Sequence, residues 1–288
     1  MKNFLFALLL STRVLDLISW LNRKRVPIIC YHSVTSDADR VERDPHKQHI
    51  PLSLFLSHLD YLQEHHNVIS LSQYVDARRN NRRLPDRSVV LTFDDGFEDF
   101  YTVAAPHLCQ RRLPATVFII TERAYGRLIP KGESFLNWDQ IRELAAAGIE
   151  IGSHTCSHVP LSELSLEEAT KELSASRAFL ESNVGCSPIP LSYPFGQTSE
   201  SISRLAQALG FTCAIATDSG PNSEEASIFR LGRTVIASDD GVAPFAARVS
   251  GLTSWIDRCR RFLRAEQNVS WKRSFDRYGS TAPDFYPD

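Results

Sequence analysis

Short apolar segments typical of buried β-strands alternate with helical segments from residue 26 to about residue 240. Seven segments have the length and composition of strands: Val26–Tyr31, Val89–Phe93, Thr116–Ile120, Ile149–Ile151, Leu191–Tyr193, Thr212–Ala216 and Thr234–Ile236. Helical patterns lie between them, at Leu52–Glu64, Leu71–Arg78, Trp138–Ala147, Leu166–Ser182 and Glu200–Leu209. This order predicts an α/β fold with parallel strands and crossover helices. About seven such units favour a barrel over an open sheet, and the pattern alone leaves both possible.

Length and charge limit the number of domains and the kinds of partner. The chain has 288 residues, of which 43% are hydrophobic, which fits one globular domain with short extensions. We assign residues 1–25 to an N-terminal apolar or amphipathic helix, residues 26–240 to the main domain, and residues 241–288 to a C-terminal helix and tail. Within the last segment, residues 251–264 have the pattern of a basic amphipathic helix. The formal net charge of -2 argues against a nucleic-acid partner.

The N-terminal segment has two interpretations. Its apolar run Phe4–Leu10 lacks a following small-residue cleavage site, and apolar residues continue at helical spacing to Leu21. Arg13 and Asp16 interrupt the run, and a basic cluster follows at 23–25. The segment is either an interfacial helix resting on a membrane or a helix packed on the domain. Six cysteines without a pairing pattern favour reduced thiols and a cytoplasmic location, with export as the alternative.

Two adjacent carboxylates end the second predicted strand, in the sequence Leu91-Thr-Phe-Asp-Asp-Gly96. Neighbouring side chains of a strand point to opposite faces, so Asp94 and Asp95 can act together only where the strand ends. Gly96 permits a sharp exit at that point. An Asp-Gly turn without chemistry is the simpler interpretation.

A pair of histidines four residues apart, His154 and His158, follows the fourth predicted strand. On one helical turn such a pair faces the same way and can bind one metal ion. With Asp95 the two histidines would supply three ligands and leave positions open, as in a catalytic zinc site. Zinc is the first expectation, and Co²⁺, Ni²⁺ or Fe²⁺ also suit these donors. Cys156, between the histidines, is expected to pack rather than bind metal.

Further candidates lie at other strand ends. Tyr193, Pro194 and Phe195 form either a strand-terminating turn or a groove wall that contacts substrate, with a backbone N–H aimed at the site. His32 follows the first strand. The segment Phe229–Arg233 carries two arginines, either of which could be a surface charge or could hold a carboxylate with both of its nitrogens.

Together these segments resemble the polysaccharide deacetylases of carbohydrate esterase family four, over about residues 26 to 240. Thr92–Gly96 is similar to the first motif of the family and Ser153–His158 to its second. The resemblance implies a distorted (β/α)7 barrel and removal of N-acetyl groups from an amino-sugar polysaccharide. It further implies that Asp94 is the general base, that Asp95, His154 and His158 hold the metal, and that the Phe195 N–H stabilises the oxyanion.

Two positions depart from the family pattern. Ser192 stands where the third motif usually begins with an arginine that holds the base, and Arg233 stands where the fifth motif usually supplies an acid histidine. The sequence is closer to the branch with a Tyr-Pro-Phe-Gly third motif, which includes poly-N-acetylglucosamine deacetylases. We therefore expect His32 to be the acid, with a role in capping the first strand as the alternative, and Arg230 or Arg233 to replace the missing arginine.

Two other functions stay open. The same fold could hydrolyse a small non-sugar amide, or the domain could bind glycan without turnover. We expect a polysaccharide partner and allow peripheral membrane contact through the N-terminal helix. The sequence carries no signal for the oligomeric state.

Overall fold

A computed structural model describes residues 14–22, 24–125, 133–185, 189–217, 222–223 and 226–252. The predictions for residues 1–13 and for 253–288, including most of the amphipathic segment at 251–264, lie outside these residues. Ten strands are described: β1 Ile28–Tyr31, β2 Ser33–Thr35, β3 His49–Pro51, β4 Asn67–Ile69, β5 Ser88–Phe93, β6 Thr116–Ile119, β7 Glu150–Ser153, β8 Leu191–Ser192, β9 Ala214–Ile215 and β10 Thr234–Val235.

Helices cover most of the connections between these strands. The α-helices are α1 Val14–Leu21, α2 Ala38–Glu42, α3 Leu52–His65, α4 Leu71–Arg79, α5 Ala105–Arg111, α6 Trp138–Ala146, α7 Leu166–Val184, α8 Glu200–Ala208 and α9 Val242–Val249. A π-helical turn at Phe100–Ala104 leads into α5, and short 3₁₀ turns occur at Arg123–Tyr125, Leu161–Glu163 and Pro194–Gly196.

The main sheet is parallel and strongly curled, in the order β10-β1-β5-β6-β7-β8-β9, with β4 alongside the start of β5. Its two ends meet in one segment. Leu231 forms a parallel bridge with Ile215 of β9, and Thr234 a few residues later pairs with Ile29 of β1. The ring therefore contains seven strands, and the expected distorted (β/α)7 barrel is confirmed.

Local sequence signals explain where these elements begin. Every residue of β1, β5 and β6 is buried, as strands enclosed on both faces require. Capping boxes start three helices: Ser70 with Gln73, Asn137 with Gln140, and Ser165 with Glu168. These polar caps accept hydrogen bonds from free N–H groups of the first turn, and so fix the residue at which each helix begins.

The segment after Asp240 packs on the barrel more closely than the sequence pattern indicated. Phe245 of α9 stacks on His58 of α3 with ring centroids 4.0 Å apart. The His58 ring bridges the Tyr31 hydroxyl, at 3.0 Å, and the Asp240 carbonyl, at 2.7 Å. Burial lowers the pKa of His58 to about 4, so the ring is neutral and acts as a structural link. Helix α9 is short and contains Pro244, and these features weaken its pattern in the sequence.

Helix α1 packs on the domain along one side and is exposed along another. Ile18 packs against the cluster of Ala246, Ala247 and Leu252, and the Asn22 side chain donates to the Ser250 carbonyl at 2.9 Å. The other side of the helix carries Leu17, Trp20 and Leu21, all of them exposed. Among the described residues, no helix has both the length and the apolar character to cross a membrane.

Candidate active site

The predicted site residues come together at the carboxyl ends of the barrel strands. Asp94 and Asp95 follow β5, His154 follows β7, Tyr193 follows β8, and His32 follows β1. Parallel strands of a barrel present all their carboxyl ends at one opening, where active sites of barrel enzymes lie. Residues far apart in the sequence therefore share one cleft.

Asp95, His154 and His158 form a group suited to one metal ion. The Oδ1 atom of Asp95 lies 3.4 Å from Nε2 of His154 and 3.4 Å from Nε2 of His158. Asp95 Oδ1 is buried and has no hydrogen-bond partner among the described residues, as expected of an atom that needs a cation. Two nitrogens and one carboxylate oxygen are donors that catalytic zinc sites use. The predicted ligand set therefore fits a divalent metal.

The two histidines are held in the form that binds metals. His154 Nδ1 donates to the Ser192 carbonyl at 2.8 Å, because a carbonyl oxygen can only accept. The other nitrogen, Nε2, faces the carboxylates, at 3.5 Å from Asp94 Oδ2 and 3.4 Å from Asp95 Oδ1. Burial, followed by the charge of His154, lowers the pKa of His158 to about 4. A neutral imidazole is the ligand form that a metal requires.

The backbone around the ligands differs from the expected helical turn. Residues 154–158 form bends without helix, and the structure holds Thr155 and His158 at φ 66° and 65°. Asp95 is also left-handed, with φ 69°, followed by Gly96 at 70°. Side-chain-bearing residues rarely adopt this region, and such strain concentrates at functional sites. The histidines therefore face one point through specific loop geometry rather than helical spacing.

Glu172 holds this histidine loop and was not recognised in the sequence. From α7, its Oε2 accepts the backbone N–H groups of Cys156, at 3.1 Å, and Ser157, at 3.0 Å. Its Oε1 accepts the Ser157 hydroxyl at 2.8 Å. In the sequence Glu172 looks like any charged residue on the polar side of a helix, so no pattern could have identified it. Cys156 does not belong to the ligand group.

Asp94 is paired with Arg233. The guanidinium meets both carboxylate oxygens, with Nη1 2.7 Å from Oδ1 and Nη2 2.6 Å from Oδ2, and both side chains are almost fully buried. Burial pushes the pKa of Asp94 up, but Arg233 and then His154 outweigh it, so the pKa lies well below its usual range. Ser192 adds a weak contact to Asp94 from its hydroxyl, at 3.3 Å. We expected either Arg230 or Arg233 to hold this carboxylate. Arg233 holds it, whereas the Arg230 side chain is exposed.

His32 borders Asp94. One ring nitrogen of His32, the Cys30 sulfur and an Asp94 oxygen all lie within 4.8 Å of one another. Its Nδ1 atom is buried and has no hydrogen-bond partner in the described part of the chain, which does not support a role in capping the first strand. Burial lowers the pKa of His32, and the charges of Asp95 and Asp94 oppose that effect. Cys30 is a less suitable metal ligand, because burial raises the pKa of its thiol.

The three residues predicted to contact substrate separate into two groups. The Tyr193 side chain is fully buried, with its hydroxyl donating to the Phe229 carbonyl at 3.0 Å, and Pro194 is buried beside it. Both support the loop from within rather than forming the groove wall that we expected. Phe195 is exposed, has φ 57°, and places its ring 4.9 Å from that of His158. Of the three, Phe195 is therefore the residue that presents its side chain at the opening.

A second polar network lies beside His32. Ser33 donates to Asp99, and His49 Nδ1 lies 2.7 Å from the Ser33 hydroxyl oxygen. Arg40 also donates to Asp99, at 3.2 Å. Burial raises the pKa of Asp99 to about 6, despite these donors. The network joins β2, β3 and the loop after β5, and so fixes one wall of the opening.

Comparisons with known proteins agree with this architecture. Residues 81–214 match the family model described as polysaccharide deacetylase. The deacetylase PplD of Streptococcus pyogenes superposes with a TM-score of 0.71 at 24% identity, covering 78% of this chain and 98% of that one. IcaB from Ammonifex degensii superposes with a TM-score of 0.66 at 23% identity, covering 79% and 97%. These two likenesses concern the fold.

Sequence relatives carry names of the same kind. A Bacillus subtilis (strain 168) protein named as a polysaccharide deacetylase, YxkH, is 24% identical over 241 residues, which are 82% of this chain and 81% of that protein. A poly-beta-1,6-N-acetyl-D-glucosamine N-deacetylase of Staphylococcus aureus (strain MRSA252) is 28% identical over 65% of this chain and 67% of its own length. The Escherichia coli (strain K12) enzyme of that name is 30% identical over 138 residues, only 20% of its length.

The fold, the arrangement of the site and these matches give one conclusion. Residues 81–214 carry a polysaccharide deacetylase domain, and the chain is similar to polysaccharide deacetylases in sequence and in fold. It is a hydrolase that acts on carbon–nitrogen bonds, as the sequence resemblance implied.

Replacing Glu172 with Gln should weaken metal binding without unfolding the protein. The amide is uncharged and has one accepting oxygen instead of two, so the hydrogen bonds to the loop that presents His158 weaken and the loop loses its fixed position. Residues that orient metal ligands typically contribute about 10–100-fold in affinity. Competition with a chromophoric zinc chelator measures the change. Glu167→Gln, on the exposed side of the same helix, is the control, and equal zinc affinity in both variants would contradict the role of Glu172.

Proposed function

We propose that this protein removes N-acetyl groups from an amino-sugar polysaccharide, with a divalent metal, zinc first, held by Asp95, His154 and His158. One observation carries the proposal: this ligand group and Asp94, a carboxylate paired with an arginine, lie together at one barrel opening. The relatives named poly-beta-1,6-N-acetyl-D-glucosamine deacetylases support the substrate class. An exposed aromatic ring at the opening, that of Phe195, offers an apolar surface for a sugar ring.

Each side chain around the metal position has a separate role in amide hydrolysis. A divalent metal bound there would lower the pKa of a water molecule and polarise the acetamide carbonyl. Asp94 accepts a proton from the attacking water, and Arg233 keeps that carboxylate ionised and fixed in orientation. The backbone N–H of Phe195 is the candidate donor to the oxyanion.

The departing amine needs a proton, and His32 is the candidate donor. Arg233 is unsuited to this task, because its pairing with Asp94 raises its pKa against the effect of burial. His32 lies within 4.8 Å of Asp94, so the proton taken from water has a short path to the imidazole. The alternative is that Asp94 itself returns the proton to the amine.

The two competing functions are less well supported. A domain that only binds glycan has no need of a buried, bidentate arginine that keeps Asp94 ionised. Hydrolysis of a small amide would use the same residues, so only a substrate comparison separates it from deacetylation of a polymer.

Metal content and acetate release test the function directly. The purified protein should bind close to one divalent metal per chain and release acetate from poly-β-1,6-N-acetylglucosamine. The double variant His154→Ala with His158→Ala should lose both. Asp94→Asn should keep its metal and lose activity on the order of a hundredfold or more, because the amide cannot accept the water proton. Metal binding without acetate would support a binding domain, and acetate from small amides alone would support the other enzyme.

Arg233→Met should move the acid limb of the kcat/KM profile to higher pH. Burial raises the pKa of Asp94 and Arg233 lowers it, so removing the arginine leaves burial dominant. A base must be ionised, and activity would therefore be lost at a higher pH as the solution is acidified. Arg230→Met, at the exposed neighbouring arginine, is the control. An acid limb that stays in place in Arg233→Met would show that Asp94 is not the base.

His32→Gln should lower turnover by on the order of a hundredfold and flatten the alkaline limb, with metal content unchanged. A general acid must be protonated, so activity falls as pH rises through its pKa, and this dependence disappears with the imidazole. His49→Gln, in the adjacent network, is the matched control. If His32→Gln retained the limb and His49→Gln lost it, the acid would be His49.

A further inference from the structure

One side of helix α1 presents an apolar surface to solvent. Leu17, Trp20 and Leu21 are 57%, 53% and 65% exposed, within little more than one turn. Ile18, on another side, packs on the domain, and Asn22 after the helix donates a hydrogen bond to the Ser250 carbonyl. Single exposed apolar residues are common, but two leucines and a tryptophan together indicate a surface that contacts something apolar.

A basic loop lies near the end of this helix. Residues 78–87 contain five arginines and one aspartate, a net charge of +4, although the whole chain carries -2. Arg79, Arg82 and Arg83 are exposed. The ion pairs of Arg82 with Asp76, at 3.0 Å, and of Arg83 with Asp86, at 3.4 Å, are open to water, where such pairs contribute little. The arginine loop, as we call residues 78–87, can therefore exchange these partners for others.

The apolar surface and the arginine loop share one side of the protein. Lys24 lines a cavity of about 480 Å³ together with Arg78, Arg82 and Arg83. Lys24 follows Leu21 by three residues, so their Cα atoms lie at most about 11 Å apart. The arginine loop directly precedes β5, whereas Asp94 follows β5. This side is therefore at the opposite end of the barrel from the candidate active site.

We propose that the apolar side of α1 and the arginine loop form a binding face for an anionic phospholipid bilayer. Leu17, Trp20 and Leu21 enter the interface between headgroups and acyl chains, and the arginines contact lipid phosphates. Charge complementarity favours a bilayer over a protein partner, since this face joins an aromatic-containing apolar helix side to the exposed side chains of Lys24, Arg79, Arg82 and Arg83. Bound in this way, the protein holds its catalytic opening away from the lipid.

Cosedimentation of the full-length protein with vesicles tests the proposal, independently of deacetylase activity. We expect binding to phosphatidylcholine vesicles containing phosphatidylglycerol, and weak binding to phosphatidylcholine alone. Arg82→Glu with Arg83→Glu should weaken binding to the anionic vesicles by about 25-fold or more, since each basic residue contributes about fivefold. Leu17→Ser with Leu21→Ser should reduce binding to both vesicle types. Thermal melting of each variant shows whether it is folded.

The matched control is Arg142→Glu with Arg204→Glu. These arginines are also exposed and paired with nearby carboxylates, at Asp139 and Glu200, but lie outside the proposed face. If the control double variant weakened vesicle binding as much as the Arg82→Glu, Arg83→Glu double variant does, the attraction would be nonspecific and the proposal would be overturned. Failure of the wild-type protein to bind anionic vesicles would also overturn it, including the case in which the apolar surface is covered by another segment or a second copy of this chain.

Discussion

The buried ion pair of Asp94 and Arg233 is the interaction on which the site depends. Its partners are 139 residues apart, one after β5 and the other directly before β10, the segment that joins the two ends of the sheet. Transferring two charges from water is costly, and bidentate geometry is what offsets that cost. The pair therefore requires a closed barrel, and loss of either partner would leave an uncompensated charge in the interior.

The candidate metal ligands are positioned by a strained backbone, whereas Asp94 is positioned by a buried ion pair. Asp95 and His158 are both left-handed, each at a cost of order 1 kcal/mol or more, and the surrounding hydrogen bonds must offset that cost. The three hydrogen bonds that Glu172 accepts offset the cost of the strained backbone in the histidine loop. For Asp95, the following Gly96 provides a second left-handed residue without steric penalty. The geometry of the candidate ligand group thus depends on Glu172 and Gly96, which are not members of that group.

Hydrophobic periodicity was sufficient to predict parallel strands with crossover helices, because the strands are short, mostly buried and separated by helices with strong caps. It favoured a barrel without deciding it, and the distorted (β/α)7 barrel followed from the family resemblance. The pairing of β2 with β3 and the packing of α9 were not predictable, since both depend on contacts distant in the sequence. The candidate ligands were identifiable because Asp95 and His154 lie at strand ends and His158 is four residues after His154. Tyr193 shows the limit of such reasoning: its place in a motif suggested substrate contact, but its side chain points into the core. Glu172 and Asp99 have no local signal at all.

The placement of Arg233 has a consequence for the charge of the site. Asp94, Asp95 and Arg233 together carry one net negative charge, which a divalent cation would convert to one net positive charge. Such a balance favours the development of negative charge on the substrate carbonyl oxygen during attack. A histidine in the position of Arg233 would carry this charge only when protonated, whereas arginine carries it at every working pH. In the proposed mechanism, a permanently charged arginine keeps this balance at every working pH. For the same reason, another group must donate the proton to the amine.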